Sequence, residues 1–253
     1  MKSRFILYLL IVLALLGAAR IVHIRADLPY LVSYVFSPID QTDEGWWCRN
    51  ARLYARTGAW HDGTSFNPML QSPVHAYLLA AYFKCAGVGW VKARIFSMLL
   101  CLLAMAAIAC ALRRHIGQRW SLATVLLLGL HPLVFFFSRI ATNEITVFCL
   151  VSLITAIMIG DEGKRVFTVF LAGILFGCAV LTKTNALILG PGFLVYLLRK
   201  RPQRWKKDCV AAFIGALAVY LLVTITMPTF AGPANQMGSH YINQRLPGSF
   251  KQA

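Results

Sequence analysis

Ile95-Phe96-Ser97-Met98-Leu99-Leu100-Cys101-Leu102-Leu103-Ala104-Met105-Ala106-Ala107-Ile108-Ala109-Cys110-Ala111-Leu112 is an apolar run without a charge, and Arg113-Arg114-His115-Ile116-Gly117-Gln118-Arg119 follows it at once. At about 1.5 Å of rise per residue, such a run reaches across most of a hydrocarbon layer about 30 Å thick. It reads as a membrane-crossing helix that ends in a basic loop. The pattern recurs on both sides of it. Phe5 to Ile24 is apolar behind Lys2 and Arg4. That start resembles a signal peptide, but the run is long enough to span and more spans follow, so an uncleaved first helix is expected. Further spans are expected at 120–137 and 145–160. Val166 to Leu198 is too long for one untilted span and breaks at Lys183-Thr184-Asn185, and a last span covers 209–227 before Pro228 opens a polar tail.

Composition agrees. Hydrophobic residues make up 58% of the 253, and charged residues 13%, about half the ~25% usual in soluble domains. A net charge of +16 in a soluble protein would suggest nucleic acid. Here Lys and Arg sit in short loops between apolar runs, the positive-inside pattern, so the expected partners are membrane lipids and not nucleic acid. The segment 74–90 is short and interrupted by Lys84, Gly87 and Gly89. If it crossed, the loops 113–119 and 163–165 would fall outside, against the charge rule. If it only dips in, all basic loops share the inner side. The fold class is therefore an all-α polytopic bundle of about seven spans. Residues 25–91 form a first outer loop with juxtamembrane helices. The seven cysteines match no metal or disulfide spacing. Cys101, Cys110, Cys149 and Cys178 are expected to be buried as small hydrophobes, and a Cys48–Cys85 pair is a minor alternative.

Three charged constellations face one side under this topology. The first lies in Gln41-Thr42-Asp43-Glu44-Gly45-Trp46-Trp47-Cys48-Arg49-Asn50-Ala51-Arg52-Leu53-Tyr54-Ala55-Arg56. Asp43 and Glu44 are two of only nine acidic residues. An adjacent carboxylate pair at a membrane face can take a proton from an acceptor or hold a divalent cation. The plainer reading is a helix N-cap, and spacing alone favours it. Arg49, Arg52 and Arg56 share one helix face that can meet a lipid phosphate, or simply headgroups. The second constellation is Arg139 with Glu144 in a tight turn, either functional or an interfacial ion pair. The third is Lys183 between two short apolar helices, either neutralising a phosphate or snorkelling at a span boundary. His61-Asp62 and His75 are weak signals, and His131 before Pro132 is expected in the core. There is no phosphate loop, dinucleotide fingerprint, zinc pattern or nucleophile elbow.

The order of these features resembles the N-terminal half of GT-C-fold membrane glycosyltransferases that use polyprenyl-phosphate sugars, such as protein mannosyltransferases and lipid A aminoarabinose transferases. The matching pieces are the first span, Asp43-Glu44, Tyr54-Ala55-Arg56-Thr57-Gly58-Ala59-Trp60, Ser72-Pro73-Val74-His75-Ala76-Tyr77, Ala93-Arg94-Ile95-Phe96-Ser97, Ser138-Arg139 to Glu144, and Gly173 to Thr182-Lys183. The resemblance implies that Asp43 is the acceptor-activating base or a metal ligand, with Glu44 beside it in the catalytic pair. It implies that Glu144 is a second-loop acid and a companion ligand for a divalent metal, and that Arg139 and Lys183 face the donor phosphate, with Arg56 as a further cation. Gln71-Ser72-Pro73 stands where aminoarabinose transferases carry Glu-Lys-Pro, so that phosphate or metal role is not expected. Family members run to about twice this length, so the chain is expected to be a truncated domain, half of a split protein, or an inactive relative. The expected function is inverting transfer from a polyprenyl-phosphate-linked sugar to a lipid, glycan or protein acceptor, on the periplasmic face of a bacterial inner membrane. The alternative is a non-catalytic membrane protein, either a transporter half or an assembly subunit. The absence of a convincing internal repeat argues against a transporter.

Overall fold

A computed structural model describes residues 2–22, 24, 25, 44–60, 68–160 and 165–227. Its elements are α1 (Lys2–Ile21), α2 (Glu44–Thr57), a 3-10 turn (Pro68–Leu70), α3 (Pro73–Ala86), α4 (Trp90–Leu130), α5 (Pro132–Phe137), α6 (Asn143–Gly160), α7 (Val166–Thr182), a second 3-10 turn (Thr184–Ile188), α8 (Leu189–Lys200) and α9 (Trp205–Thr226). No strand occurs among the described residues. Among the described residues, four helices are long and apolar enough to cross a membrane by length and composition: α1, α4, α6 and α9. The chain is a multi-pass helical membrane protein, as the sequence led us to expect.

Helix α4 is a hairpin rather than one rod. Gly117 has φ +82°, a left-handed conformation that a residue with a Cβ rarely adopts. Beyond it the chain folds back, and the Ser121 hydroxyl donates to the Ala109 carbonyl at 2.7 Å. The basic loop expected at 113–119 is this bend. Both arms pack on α1 through a core of Phe5, Leu9, Leu16, Cys101, Met105 and Val125.

The second arm differs from expectation. A single span over 120–137 is interrupted at His131, whose ψ of 128° leaves the helix, and α5 restarts with Pro132 in its first turn. A residue before proline is pushed out of the α region, which accounts for the break. His131 is exposed at that break, not in the core. Among the cysteines, Cys101 and Cys149 are buried as expected, whereas Cys178 is half-buried and Cys110 exposed. Cys48 and Cys85 are both free.

The remaining helices pack by close backbone approach. A Cβ added at Gly173 would lie 2.1 Å from the Ala212 carbonyl oxygen, and one at Gly215 would lie 2.4 Å from that of Phe170. Helices α7 and α9 therefore meet over small residues, the packing that serves in a lipid solvent where burying apolar area gains nothing. The long run 166–198 breaks where Lys183 stands. Lys183 ends α7 in an extended conformation, and the 3-10 turn leads into α8. Helix α3 is 14 residues long, about 21 Å at helical rise and too short to cross alone. It packs instead on α2 through Ala51, Leu79, Ala80 and Phe83.

Candidate active site

The elements converge on the turn between α5 and α6. Glu44 opens α2 and is fully buried. Its carboxylate accepts from Arg94 Nε at 3.0 Å and from Nη2 at 2.8 Å, the second on the other oxygen, and from the Ala141 backbone N–H at 2.6 Å. Arg94 also donates to the Ile24 carbonyl at 2.7 Å and lies over the Trp90 ring. Two-point pairing of this kind fixes both distance and angle. It ties the start of α2, the start of α4, the end of the α1 segment and the 139–144 turn into one joint. Asp43 itself lies outside the described residues.

Arginines brace the same turn from α1. Arg20 is fully buried at the end of α1. It donates to the Ser138 hydroxyl at 2.6 Å and to the carbonyls of Leu16 and Gly129. Arg139 donates to the Val22 carbonyl at 2.9 Å and lies against the Phe135 ring. Both cations thus sit at the C-terminal end of α1, where the helix dipole favours positive charge.

A polar cluster stands on the other side of the turn. Lys183 and Glu144 form an ion pair at 2.5 Å, with side-chain exposures of 35% and 32%. Beside it, the Ser72 hydroxyl donates to the Thr182 carbonyl at 2.7 Å, and the Asn143 amide nitrogen lies 3.3 Å from the same oxygen. His75 Nδ1 is 2.9 Å from the Thr146 hydroxyl. Three buried atoms of the cluster lack a protein partner: His75 Nε2, Asn143 Oδ1 and Glu144 Oε2. Burial pushes the His75 imidazole down to about 4, and Glu144 works weakly against that shift. His75 is therefore a buried member of α3 and not a surface loop residue.

Helix α2 carries the rest of the first loop. The Asn50 side chain donates to the Trp60 carbonyl at 2.5 Å and accepts from the Met69 N–H at 3.1 Å. Tyr54 stacks on Trp60 at 4.0 Å, and Lys84 lies over the Tyr54 ring. Burial, and next the Glu44 carboxylate, push the Cys48 thiol up to about 12, which leaves it inert as a nucleophile. Arg52 and Arg56 are exposed. Arg56 stands about 18 Å along the helix axis from Glu44 and is not drawn into the turn. His61 and Asp62 lie outside the described residues.

Glu44, Arg139, Glu144 and Lys183 are thus brought to one end of the bundle. Sequence reasoning passed over Arg20, Asn50 and Asn143 and gave Arg94 no role. Arg20, inside the first apolar run, and Arg94, at the start of another, were detectable as cations in apolar surroundings, where a charge is kept only with a partner. Asn50 and Asn143 carry no comparable signal.

A helical membrane bundle with Arg20, Glu44–Arg94, Arg139 and the Glu144–Lys183 pair gathered at one end, around the loop that follows the first helix, defines a class: multi-pass membrane proteins with a polar site at one face. The profile of the family described as dolichyl-phosphate-mannose-protein mannosyltransferase matches residues 70–228, well over half of the chain. The chain belongs to this family of membrane glycosyltransferases. No curated protein and no solved structure matches it.

Proposed function

We propose that the protein transfers a sugar from a polyprenyl-phosphate donor to a lipid, glycan or protein acceptor, with inversion, at the Lys183 end of the bundle, and that this end faces the periplasm of a bacterial inner membrane. Family membership supports the sugar transfer. The observation that carries the site is the bond from Ala141 N–H to Glu44, which draws the start of α2 onto the turn leading to Glu144 and Lys183.

Asp43, next to the pinned Glu44, takes the proton of the acceptor hydroxyl. The acceptor oxygen then bonds the anomeric carbon as the bond from that carbon to the phosphate oxygen breaks. The electron pair leaves with the polyprenyl phosphate, and Lys183 and Arg139 neutralise it. Glu44 is a positioning residue, because its oxygens are engaged by Arg94 and Ala141. A divalent ion between Asp43 and Glu144 fits poorly. Glu144 Oε1 already meets the Lys183 ammonium, with which such an ion would have to compete. No step runs through one.

The test is Asp43→Asn. Asparagine caps a helix nearly as well as aspartate but cannot take a proton. Transfer from a polyprenyl-phosphate sugar by the membrane-inserted protein should fall about 10²–10⁴-fold at unchanged protein level. Near-normal transfer would remove the general-base reading.

A further inference from the structure

A second site lies away from this end. A cavity of about 310 Å³ opens between α6, α7 and α8, walled by Ile154, Met158, Phe176, Gly192, Phe193 and Tyr196 among others. Its walls hold two hydroxyls, and both are occupied. Thr155 donates to the Val151 carbonyl at 2.9 Å, and Tyr196 donates to the Met158 carbonyl at 2.9 Å. The groove therefore presents hydrocarbon and aromatic surface, a poor match for a sugar or a nucleotide and a good one for an aliphatic chain.

One mouth of the groove is cationic. Arg199 and Lys200 are exposed on α8, three and four residues past Tyr196 and seven past Gly192 and Phe193 respectively. Helical spacing puts them on the groove face, one turn further along. At the end of α6, Arg114 donates to the Gly160 carbonyl at 3.2 Å, and a ring nitrogen of His115 lies 3.4 Å from the Ile159 carbonyl. Both side chains are thereby held at the end of α6 beside the wall residue Ile159.

We propose that this groove holds an acyl chain of an anionic phospholipid, whose headgroup phosphate sits on Arg199 and Lys200 with Arg114 facing them. A largely apolar slot whose two hydroxyl protons are already engaged, tipped with positive charge at one end, is complementary to a molecule with a hydrocarbon tail and one anionic head. The bound lipid would wedge α8 against α6 at the end of the bundle opposite the Glu144–Lys183 pair.

The experiment titrates the purified full chain in detergent with phosphatidylglycerol or phosphatidylcholine of identical acyl chains and counts bound lipid by native mass spectrometry. The wild type should bind phosphatidylglycerol more tightly. Replacing both Arg199→Gln and Lys200→Gln should weaken phosphatidylglycerol about 25-fold, at roughly fivefold per cation, and leave phosphatidylcholine unchanged. Gly192→Phe should weaken both lipids. Gly192 lines the groove and a Cβ there meets nothing within 4 Å, so the backbone accepts a ring expected to occupy the groove, and Thr155→Phe fills it from the opposite wall. Equal binding of the two lipids by the wild type would overturn the proposal. So would full phosphatidylglycerol affinity in both groove-filling variants, which would reduce the effect to diffuse surface charge. Displacement of phosphatidylglycerol by substoichiometric undecaprenyl phosphate, sensitive to the same variants, would assign the groove to a polyprenyl chain and overturn the phospholipid reading.

Discussion

Two carboxylate–cation pairs stand on either side of one turn, and they are built oppositely. Glu44–Arg94 is closed: the side chains are 0% and 3% exposed, and the carboxylate takes two bonds from the guanidinium and one from backbone. Glu144–Lys183 is open: both partners are about one-third exposed, they share a single contact, and one Glu144 oxygen is left without a protein partner. Burial makes the first pair a joint that cannot release either charge without leaving the other stranded in low dielectric. Exposure lets the second pair exchange its partner for a ligand or for water at little cost. Although both fall near the same turn, only the open pair can change partners without stranding a buried charge.

The largest expected effect falls on the closed pair. Arg94→Met leaves the buried Glu44 carboxylate without its guanidinium, which should cost about 3–5 kcal/mol. It should appear as a large drop in unfolding temperature in detergent, with partial rescue by adding Glu44→Gln. If Lys183→Met destabilised the protein as much, the contrast between the pairs would be broken. A third pair sharpens the comparison from the other end. Arg201 and Asp208 are 4% and 0% exposed and in contact at 3.1 Å, clamping the end of α8 to the start of α9. Asp208→Asn should cost less than loss of Arg94, about 3 kcal/mol, because the contact is single. It should leave sugar transfer per folded molecule unchanged.

Much of this architecture was legible in the sequence, and the reason is local. A lysine inside a 33-residue apolar stretch (166–198) has to mark a break, and Lys183 does. A basic run containing a glycine between two apolar runs has to turn, and Gly117 does. Asp43-Glu44 marked the first loop because acids are scarce in the chain, but nothing in that spacing separates a base from a strut. What distinguishes them for Glu44 is Arg94, 50 residues away, and Ala141, 97 residues away. Pairings at such separations depend on how helices pack, and hydropathy does not encode them. His75 fails for the same reason, whereas His131 fails through a local one, the break imposed by Pro132. The two histidines stand in similar apolar runs before or after a proline, yet one lies exposed at a break and the other is buried against Thr146.

His75 gives the intermediate effect. Its folded pKa, about 4, lies below the ordinary value of about 6.5. The folded protein therefore binds fewer protons at this site than the unfolded chain. Its contribution is fully present above pH 6.5 and is lost as pH falls through the window from 6.5 towards 4. At pH 5 the loss should be about 2 kcal/mol. Unfolding temperatures measured between pH 7.5 and 5 should fall for the wild type and fall distinctly less for His75→Gln. An identical slope in the two proteins would show that His75 is not the group responsible, and would place the acid sensitivity elsewhere.

The smallest expected stability effect belongs to the open pair, and it separates the two readings of Lys183. Lys183→Gln removes a charge whose partner is already partly in water, so stability should change by less than about 1 kcal/mol. A lysine that merely marks the end of α7 predicts nothing more. If instead its ammonium neutralises the departing phosphate, transfer should fall about 10²–10³-fold, the usual consequence of losing one donor aimed at developing charge. The loss should be concentrated in kcat, with KM little moved, because the charge grows as the sugar–phosphate bond breaks. Glu144→Gln supplies the control. It frees the ammonium without deleting it, so a phosphate-binding Lys183 should retain or gain affinity for the donor, while a lysine serving only the ion pair should give the same phenotype from either side. Equal losses in the two variants would therefore reduce Glu144–Lys183 to a second structural joint and move the search for the phosphate site to Arg139.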